Sequence, residues 1–324
     1  MSQSRRDLRP TEAVARCPCC ECDRLKLFER FPHYGIPLEY QICRHCGLVF
    51  MSPRLSELQL AGFYRSGYRP LVGPSPESKA KNQVEQRQRA EHLVTILKAH
   101  GHGPRSHLDI GCSLGELLLQ VQDAFGCATS VGVEPGEDHR GNVPSTRIRV
   151  VAALEEVRPP EGGFELVTLS HVLEHLRDPL QYLHTVRRHY LAPDGVLLIE
   201  VPNLMGHLSF ELAHQYCFSR KTLRDLVRRA GFRVSAITLH SFPRGRIGGD
   251  RYITLVATPI PAADVAPARI AYVPWWVVKL QRVRAMDARP WPVLAARGLR
   301  RALGVRTLAA GSDSRDAARN GGAQ

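Results

Sequence analysis

His107-Leu108-Asp109-Ile110-Gly111-Cys112-Ser113-Leu114-Gly115-Glu116-Leu117 is the stretch on which the fold turns. An apolar strand, His107 to Ile110, runs into a glycine turn, and a helix is predicted over Gly115 to Phe125. Glycine there lets a ligand approach the backbone without interference from a Cβ. About twenty residues further on, a second strand, Ser130 to Val133, ends in Glu134, close to the spacing of an acid that accepts hydrogen bonds from both hydroxyls of a ribose. A Gly-x-x-x-Gly turn alone also occurs where nothing binds, and a lone glutamate is commonly just solvated. In strand–turn–helix context the two together point to a nucleoside site at the carboxyl ends of parallel strands. The turn lacks the Gly-x-Gly-x-x-Gly that seats a pyrophosphate, since Ser113 holds the middle position.

Outward from this turn the chain alternates strand and helix. Strands are predicted at Arg147 to Val151, Phe164 to Ser170 and, after the Asp194-Gly195 turn, Val196 to Val201, with Arg233 to Leu239 and Tyr252 to Ala257 closing the set. Helices are predicted over Leu55 to Tyr68, Glu77 to His100, Pro179 to Tyr190 and Lys221 to Ala230, the last capped by Gly231. Seven strands separated by helices imply an α/β, doubly wound, mainly parallel Rossmann-like sheet. The expected organisation is a small cysteine module over 1–55, the α/β domain over 56–258 with its leading helices at 56–100, and a Pro/Ala linker and basic tail over 259–324.

Two Cys-x-x-Cys pairs, Cys17-Pro18-Cys19-Cys20 and Cys43-Arg44-His45-Cys46, give four thiolates that can close a tetrahedron around a structural Zn²⁺. The first pair has two registers, Cys17/Cys20 or Cys19/Cys22; Cys-Pro-x-Cys, the usual ribbon form, favours Cys17 and Cys20. The opposing expectation is a group of free buried thiols, which two correctly spaced pairs disfavour. The start of the chain, Met1 to Arg16, is polar with no apolar core, and no apolar run approaches the roughly 20 residues of a membrane span. Both point to a reducing, cytoplasmic setting, where nine cysteines read as ligands or free thiols.

The net charge of +13 invites a nucleic-acid partner. Its distribution weakens that reading: residues 275–306 hold one lysine and seven arginines against Asp287 alone, so about half of the excess lies in the tail. Trp275-Trp276 and these arginines suit peripheral contact with a membrane surface over 275–306. The competing expectation is a helix packed on the core or on a second subunit.

The turn resembles the Asp-x-Gly-x-Gly-x-Gly motif of class I S-adenosylmethionine-dependent methyltransferases. Glu165 to Pro179 is similar to their fourth-strand signature, Leu191 to Asn203 to their fifth strand, and His214 to Leu223 to a later segment. The resemblance covers about residues 80–258 and implies S-adenosyl-L-methionine as cofactor. Asp109 and the backbone of Gly111, Cys112 and Gly115 would hold its methionyl part, Glu134 and Pro135 its ribose, and Ala153, Leu154 and Ser170 its adenine. Cys43 to Pro53 resembles the N-terminal zinc module of a bacterial subgroup that includes sugar C-methyltransferases; the longer C-terminal domain of that subgroup is missing here, which argues against sugar C-methylation.

His171-Val172-Leu173-Glu174-His175 formally matches an inverted zinc-protease pattern, but it follows a strand rather than lying on a helix. If the acceptor is a hydroxyl or ammonium, transfer needs a base, and His175 and His214 are the candidates, then His171. Glu174 and His175 could equally brace the loop beneath the substrate. The stretch also resembles ubiquinone-pathway O-methyltransferases, which implies that acidic and histidine side chains here could hold a divalent metal. The expected reaction is methylation, most naturally at oxygen, of a small-molecule or glycan/lipid-precursor acceptor. RNA methylation with ribbon-assisted recognition is the alternative, and a binding module that retains a cofactor site is a third.

Overall fold

In the computed structural model, residues 8–62, 76–141, 143, 147–207, 210–244, 250–265 and 268–287 are described, with backbone alone at 61, 76–82, 138 and 287. A seven-stranded sheet forms the centre. Its strands are β4 (Ser106–Ile110), β5 (Thr129–Val133), β6 (Arg149–Val151), β7 (Phe164–Ser170), β8 (Leu191–Pro202), β10 (Phe232–His240) and β11 (Tyr252–Pro259). They lie in the order β10-β11-β8-β7-β4-β5-β6. The five strands from β8 to β6 pair in parallel and β11 and β10 pair antiparallel, so the sheet is doubly wound and mainly parallel, as expected.

One face is covered by α2 (Pro76–Ala99) and α3 (Glu116–Phe125). Leu93, Leu97 and Val121 meet Leu166, Val196 and Leu198 there. On the other face α5 (Pro179–His189) and α6 (Arg220–Arg229) pack Leu183, Leu226 and Val227 against Leu169, Ile199 and Val201. This alternation along β7 and β8 is the period-two signature of a sheet buried on both faces. Short helices α1 (Glu57–Gly62) and α4 (Glu137–Arg140) complete this part of the fold. Of the helix expected over Leu55 to Tyr68, Leu55 and Ser56 precede the observed start at Glu57, and residues 63–68 lie outside the described residues.

Ahead of the α/β core, β1 (Leu25–His33) and β2 (Ile36–Cys43) form a hairpin on Tyr34 (φ 52°) and Gly35 (φ 77°). Two consecutive residues of positive φ match the right-handed strand twist. β3 (Val49–Met51) pairs with β2, and its other edge pairs with β9 (Tyr216–Cys217), a two-residue strand from the α/β region. The N-terminal sheet is thus completed by a segment lying just beyond His214. After the linker, α7 (Trp275–Asp287) packs back on this sheet: Val278 is buried beside Gly47, and Val273 N–H donates to the His45 carbonyl at 2.8 Å. The tail helix therefore does pack on the body of the chain, and the surface it uses is the cysteine module. Among the described residues no helix is long and apolar enough to cross a membrane.

Candidate active site

The chain leaves β4 for β5 and β6 on one side and returns to β7 on the other, so the turn after β4 sits where the strand order reverses. A crevice opens at such a switch point. Gly111 (φ 77°) and Gly115 (φ 78°) are left-handed there, and so is Ser113 (φ 49°), a conformation that costs a residue with a Cβ energy. A Cβ at Gly111 would fall 2.3 Å from Val172 Cγ2, so space as well as φ demands glycine. Glu134 accepts from the Ser113 N–H at 3.0 Å and from the Gly136 N–H at 2.7 Å, one bond per carboxylate oxygen. It ties the turns after β4 and β5 together, and each oxygen keeps a second lone pair for a ribose hydroxyl.

Asp109 lies buried in β4 and accepts from Thr168 Oγ1 at 2.6 Å. Burial pushes its carboxyl up to about 7, against the Thr168 hydrogen bond and with help from the charge of Glu134. His107, 2.8 Å from the same hydroxyl, is driven down to about 3 by burial. Cys112 turns its thiol inward: a Cβ at Gly132 would meet Cys112 Sγ at 2.5 Å, so this side chain fills the core. Pro135 is exposed, Ala153 half-buried and Leu154 buried, while Ser170 ends β7 opposite Glu200.

On the β7–β8 side the chain places a connected set of acids and histidines. His171 (φ 57°) stands between two buried carboxylates, with Nδ1 3.3 Å from Glu174 Oε1 and Nε2 3.3 Å from Glu200 Oε1. Burial and the charge of Arg89 lower its pKa, but its bonds to Glu174 and Glu200 outweigh them and raise it overall. With one ring nitrogen facing each carboxylate, His171 is placed as an anchor rather than a base. Glu200 is fully buried, and Arg89 at 2.8 Å, His240 at 3.2 Å and Thr254 at 3.2 Å also approach its oxygens. Burial alone would raise the Glu200 pKa; these partners hold it well below the usual carboxylate range.

His175 and His214 meet with ring centroids 4.9 Å apart. His175 Nδ1 lies 2.9 Å from the Ala213 carbonyl, to which it donates, and Nε2 stands 3.9 Å from Glu174 Oε1. Burial lowers the His214 pKa despite the nearby charge of Glu211, so its neutral form dominates at pH 7. Glu174 is buried too, yet its neighbours His171, His175 and His214 hold it down at about 2. Glu174, His175 and His214 bring one ligand atom each within 4.8 Å of one another. They are an acid and two histidines, the residue types that could hold a divalent metal. His214 also lines a small cleft, together with His207, Phe210, Tyr216 and Arg282.

The loop carrying His214 rests on the N-terminal sheet. Tyr40 Oη reaches the His214 carbonyl at 2.8 Å and the Glu211 carbonyl at 2.7 Å, and the Leu212 N–H donates to His33 Nδ1 at 3.0 Å. Nearby, Arg177 grips both oxygens of Glu12 at 2.7 Å. In the cysteine module Cys17 Sγ lies 3.5 Å from Cys46 Sγ, and Cys20 Sγ 3.5 Å from Cys43 Sγ. Sulfurs bound tetrahedrally to zinc at ~2.3 Å would be about 3.8 Å apart, so the thiols fit the ion with small adjustments. The His45 and Leu48 N–H groups point at Cys43 Sγ and Cys46 Sγ at 3.4 and 3.5 Å. Glu21 (φ 60°) and Gly47 (φ 78°) each follow the second cysteine of a pair in the same left-handed conformation. That repeat picks Cys17/Cys20, while Cys19 is buried outside the cluster.

Residues 81–237 match the family described as "Methyltransferase domain". These residues carry a methyltransferase domain. Over 167 residues it is 30% identical to the malonyl-[acyl-carrier protein] O-methyltransferase of Geobacter sulfurreducens, covering 50% of this chain and 54% of that protein. The match thus spans about half the length of this relative. Among solved structures, the 1,6-didemethyltoxoflavin-N1-methyltransferase of Burkholderia thailandensis superposes with a TM-score of 0.50 at 20% identity, over 66% of this chain and 96% of that one. An S-adenosylmethionine-dependent methyltransferase of Clostridium acetobutylicum aligns at 10% identity with a TM-score of 0.44, over 55% and 92% of the two chains. The likeness to the Burkholderia enzyme speaks to the fold alone.

Several residues of the methyltransferase crevice escaped the sequence reading: Glu200, Arg89, His240, Glu211 and Arg282. Glu200 carried a usable signal, being an acid inside the apolar run Leu197 to Val201, where only a paired charge is tolerated.

Proposed function

We propose that the protein transfers the methyl group of S-adenosyl-L-methionine to a small-molecule or glycan/lipid-precursor acceptor, at oxygen. One observation carries this reading: a turn suited to a nucleoside (Gly111, Gly115, Glu134) follows β4, and the turn after the neighbouring β7, whose Val172 packs on Gly111, carries His175 beside His214. The cofactor, when bound, would supply a sulfonium methyl for transfer to the acceptor oxygen and leave as the neutral thioether. Asp109 and the turn backbone hold the methionyl end, Glu134 the ribose, and Ala153, Leu154 and Ser170 the adenine. His214 takes the acceptor proton on its neutral ring, and His175 stands beside it as the second candidate. His171, pinned between Glu174 and Glu200, fixes the floor. Since a sulfonium leaves without help, most of the acceleration comes from holding the acceptor in line.

Four thiolates, Cys17, Cys20, Cys43 and Cys46, hold a structural Zn²⁺ in this reading. Such closed sites stabilise a fold and do no chemistry. Titration of S-adenosylhomocysteine into wild type and Glu134→Ala tests the cofactor seat: micromolar binding, weakened about tenfold or more in the variant, is expected. No binding to folded wild type would overturn it. For the metal, elemental analysis should find one zinc per chain, lost in Cys17→Ser; folded, zinc-free wild type would refute that part.

A further inference from the structure

Helix α7 is apolar on two opposite sides. At 100° per residue, Val278 and Arg282 face the cysteine module and the cleft, where both are buried. Half a turn away Trp276, Leu280 and Val283 form a stripe at i, i+4 and i+7, exposed by 56%, 40% and 46%, and Tyr272 adds a ring exposed by 60% just ahead of it. Single exposed apolar residues such as Leu58 and Val84 are ordinary, but four within twelve consecutive residues are a patch. The inner face has its partner; the outer one has none among the described residues. Lys279 and Arg284, both exposed, flank the stripe on either side. The sequence continues with Arg289, Arg297, Arg300, Arg301 and Arg306, and over 275–306 the balance is +7.

We propose that α7 docks the protein on an anionic membrane surface, with Trp276, Leu280 and Val283 in the headgroup–acyl boundary. An aromatic and aliphatic stripe bordered by cations is the pattern of a helix lying in the plane of a membrane. The occupant is a lipid surface rather than a second copy, because the positive charge beside the stripe and along the following sequence would repel its own duplicate and attracts anionic headgroups. The same helix turns Arg282 inward, where the guanidinium bonds the Leu204 carbonyl and lies 4.7 Å from the Phe210 ring centroid in the wall of the cleft. Docking would therefore bring the cleft within one helix diameter of the lipid surface. This surface needs no methyl transfer, so it stands or falls apart from the proposed activity.

The test is co-sedimentation of the full chain with vesicles of phosphatidylglycerol and phosphatidylcholine, and with phosphatidylcholine alone. Binding is expected on the anionic vesicles, reduced at 0.5 M salt, with at least a tenfold loss for Trp276→Glu/Leu280→Glu. The double variant should keep its zinc and its S-adenosylhomocysteine affinity, which separates loss of docking from loss of folding. Should that variant misfold, Trp276→Ser alone, with the stripe otherwise intact, is expected to weaken binding severalfold. Failure of wild type to sediment with anionic vesicles would overturn the proposal. So would undiminished binding of folded variants, which would shift the contact to residues 288–324. A wild-type dimer that the same substitutions convert to monomer would assign the face to a second copy and overturn it as well.

Discussion

On the β4–β5 side of the crevice the groups offered to a ligand are mainly backbone, shaped by Gly111, Ser113 and Gly115 and tied off by Glu134. On the β7–β8 side they are mainly side chains that carry or accept protons: His171, Glu174, His175, His214 and, beneath them, Glu200. The first half comes from two short stretches about twenty residues apart. The second collects side chains from α2, the turn after β7, β8, β10, β11 and the loop before β9. A backbone cradle suits a ligand that is always the same, while a titratable wall can be altered one side chain at a time. If the proposed function holds, acceptor choice and proton handling fall to the second half, and damage there should leave cofactor affinity intact.

Replacing His214 by glutamine puts the most strain on that division. Turnover should fall about 10²–10⁴-fold, the usual worth of a positioned base, while S-adenosylhomocysteine affinity stays within twofold. Equal losses in both would mean that the two halves are not separable.

Glu200→Gln comes next. It leaves Arg89, His171 and His240 around a neutral amide, and breaking a buried ion pair from one side costs about 3–5 kcal/mol; urea unfolding would report it. A loss under 1 kcal/mol would show that the network is wetter than its burial implies.

The pH profile gives a smaller but directional effect. The His214 pKa is lowered from 6.5, so the reactive neutral form persists through pH 7 and is lost on acidification. Log kcat/KM should be flat at neutrality and fall below pH 6.5, with a slope approaching one per unit. His171 moves the other way: its pKa is raised from 6.5, so the stability its contacts with Glu174 and Glu200 contribute is present below the unfolded value and is lost as pH rises through the elevated pKa. An acid limb centred above 6.5 would reassign the base.

The smallest effect is expected for Tyr40→Phe. Losing one hydroxyl that spans the carbonyls of Glu211 and His214 removes about 1 kcal/mol of support for the loop. Turnover should fall severalfold with zinc content and cofactor affinity unchanged, which would connect the N-terminal sheet to the acceptor half alone.

The same contrast governs how much was readable beforehand. Glycines, Glu134 and the strands around them obey local rules, and β7 runs from Phe164 to Ser170 as expected. β8 begins at Leu191 rather than Val196 because Asp194-Gly195 is absorbed into the strand: its pairing with β7 slips between Phe164↔Leu191 and Leu166↔Val196. The β1–β2 hairpin was legible in the alternation of Ile36, Leu38, Tyr40 and Ile42, all fully buried, but cysteine spacing dominated that region. β9 was not legible, since a two-residue strand has no period. Nor was the Glu200 network, whose members meet only once β8, β10, β11 and α2 are assembled.

The pairing of β3 with β9 also sets a timetable for the ribosome. The N-terminal module leaves the exit tunnel first, yet the strand that completes its sheet begins at Tyr216, some 165 residues after Met51. At ~5–20 residues per second the nascent module waits roughly 8–33 s with one edge of β3 uncovered. During that interval its bare strand is open to other chains, and early capture of a metal ion would be what keeps it folded until its last strand arrives.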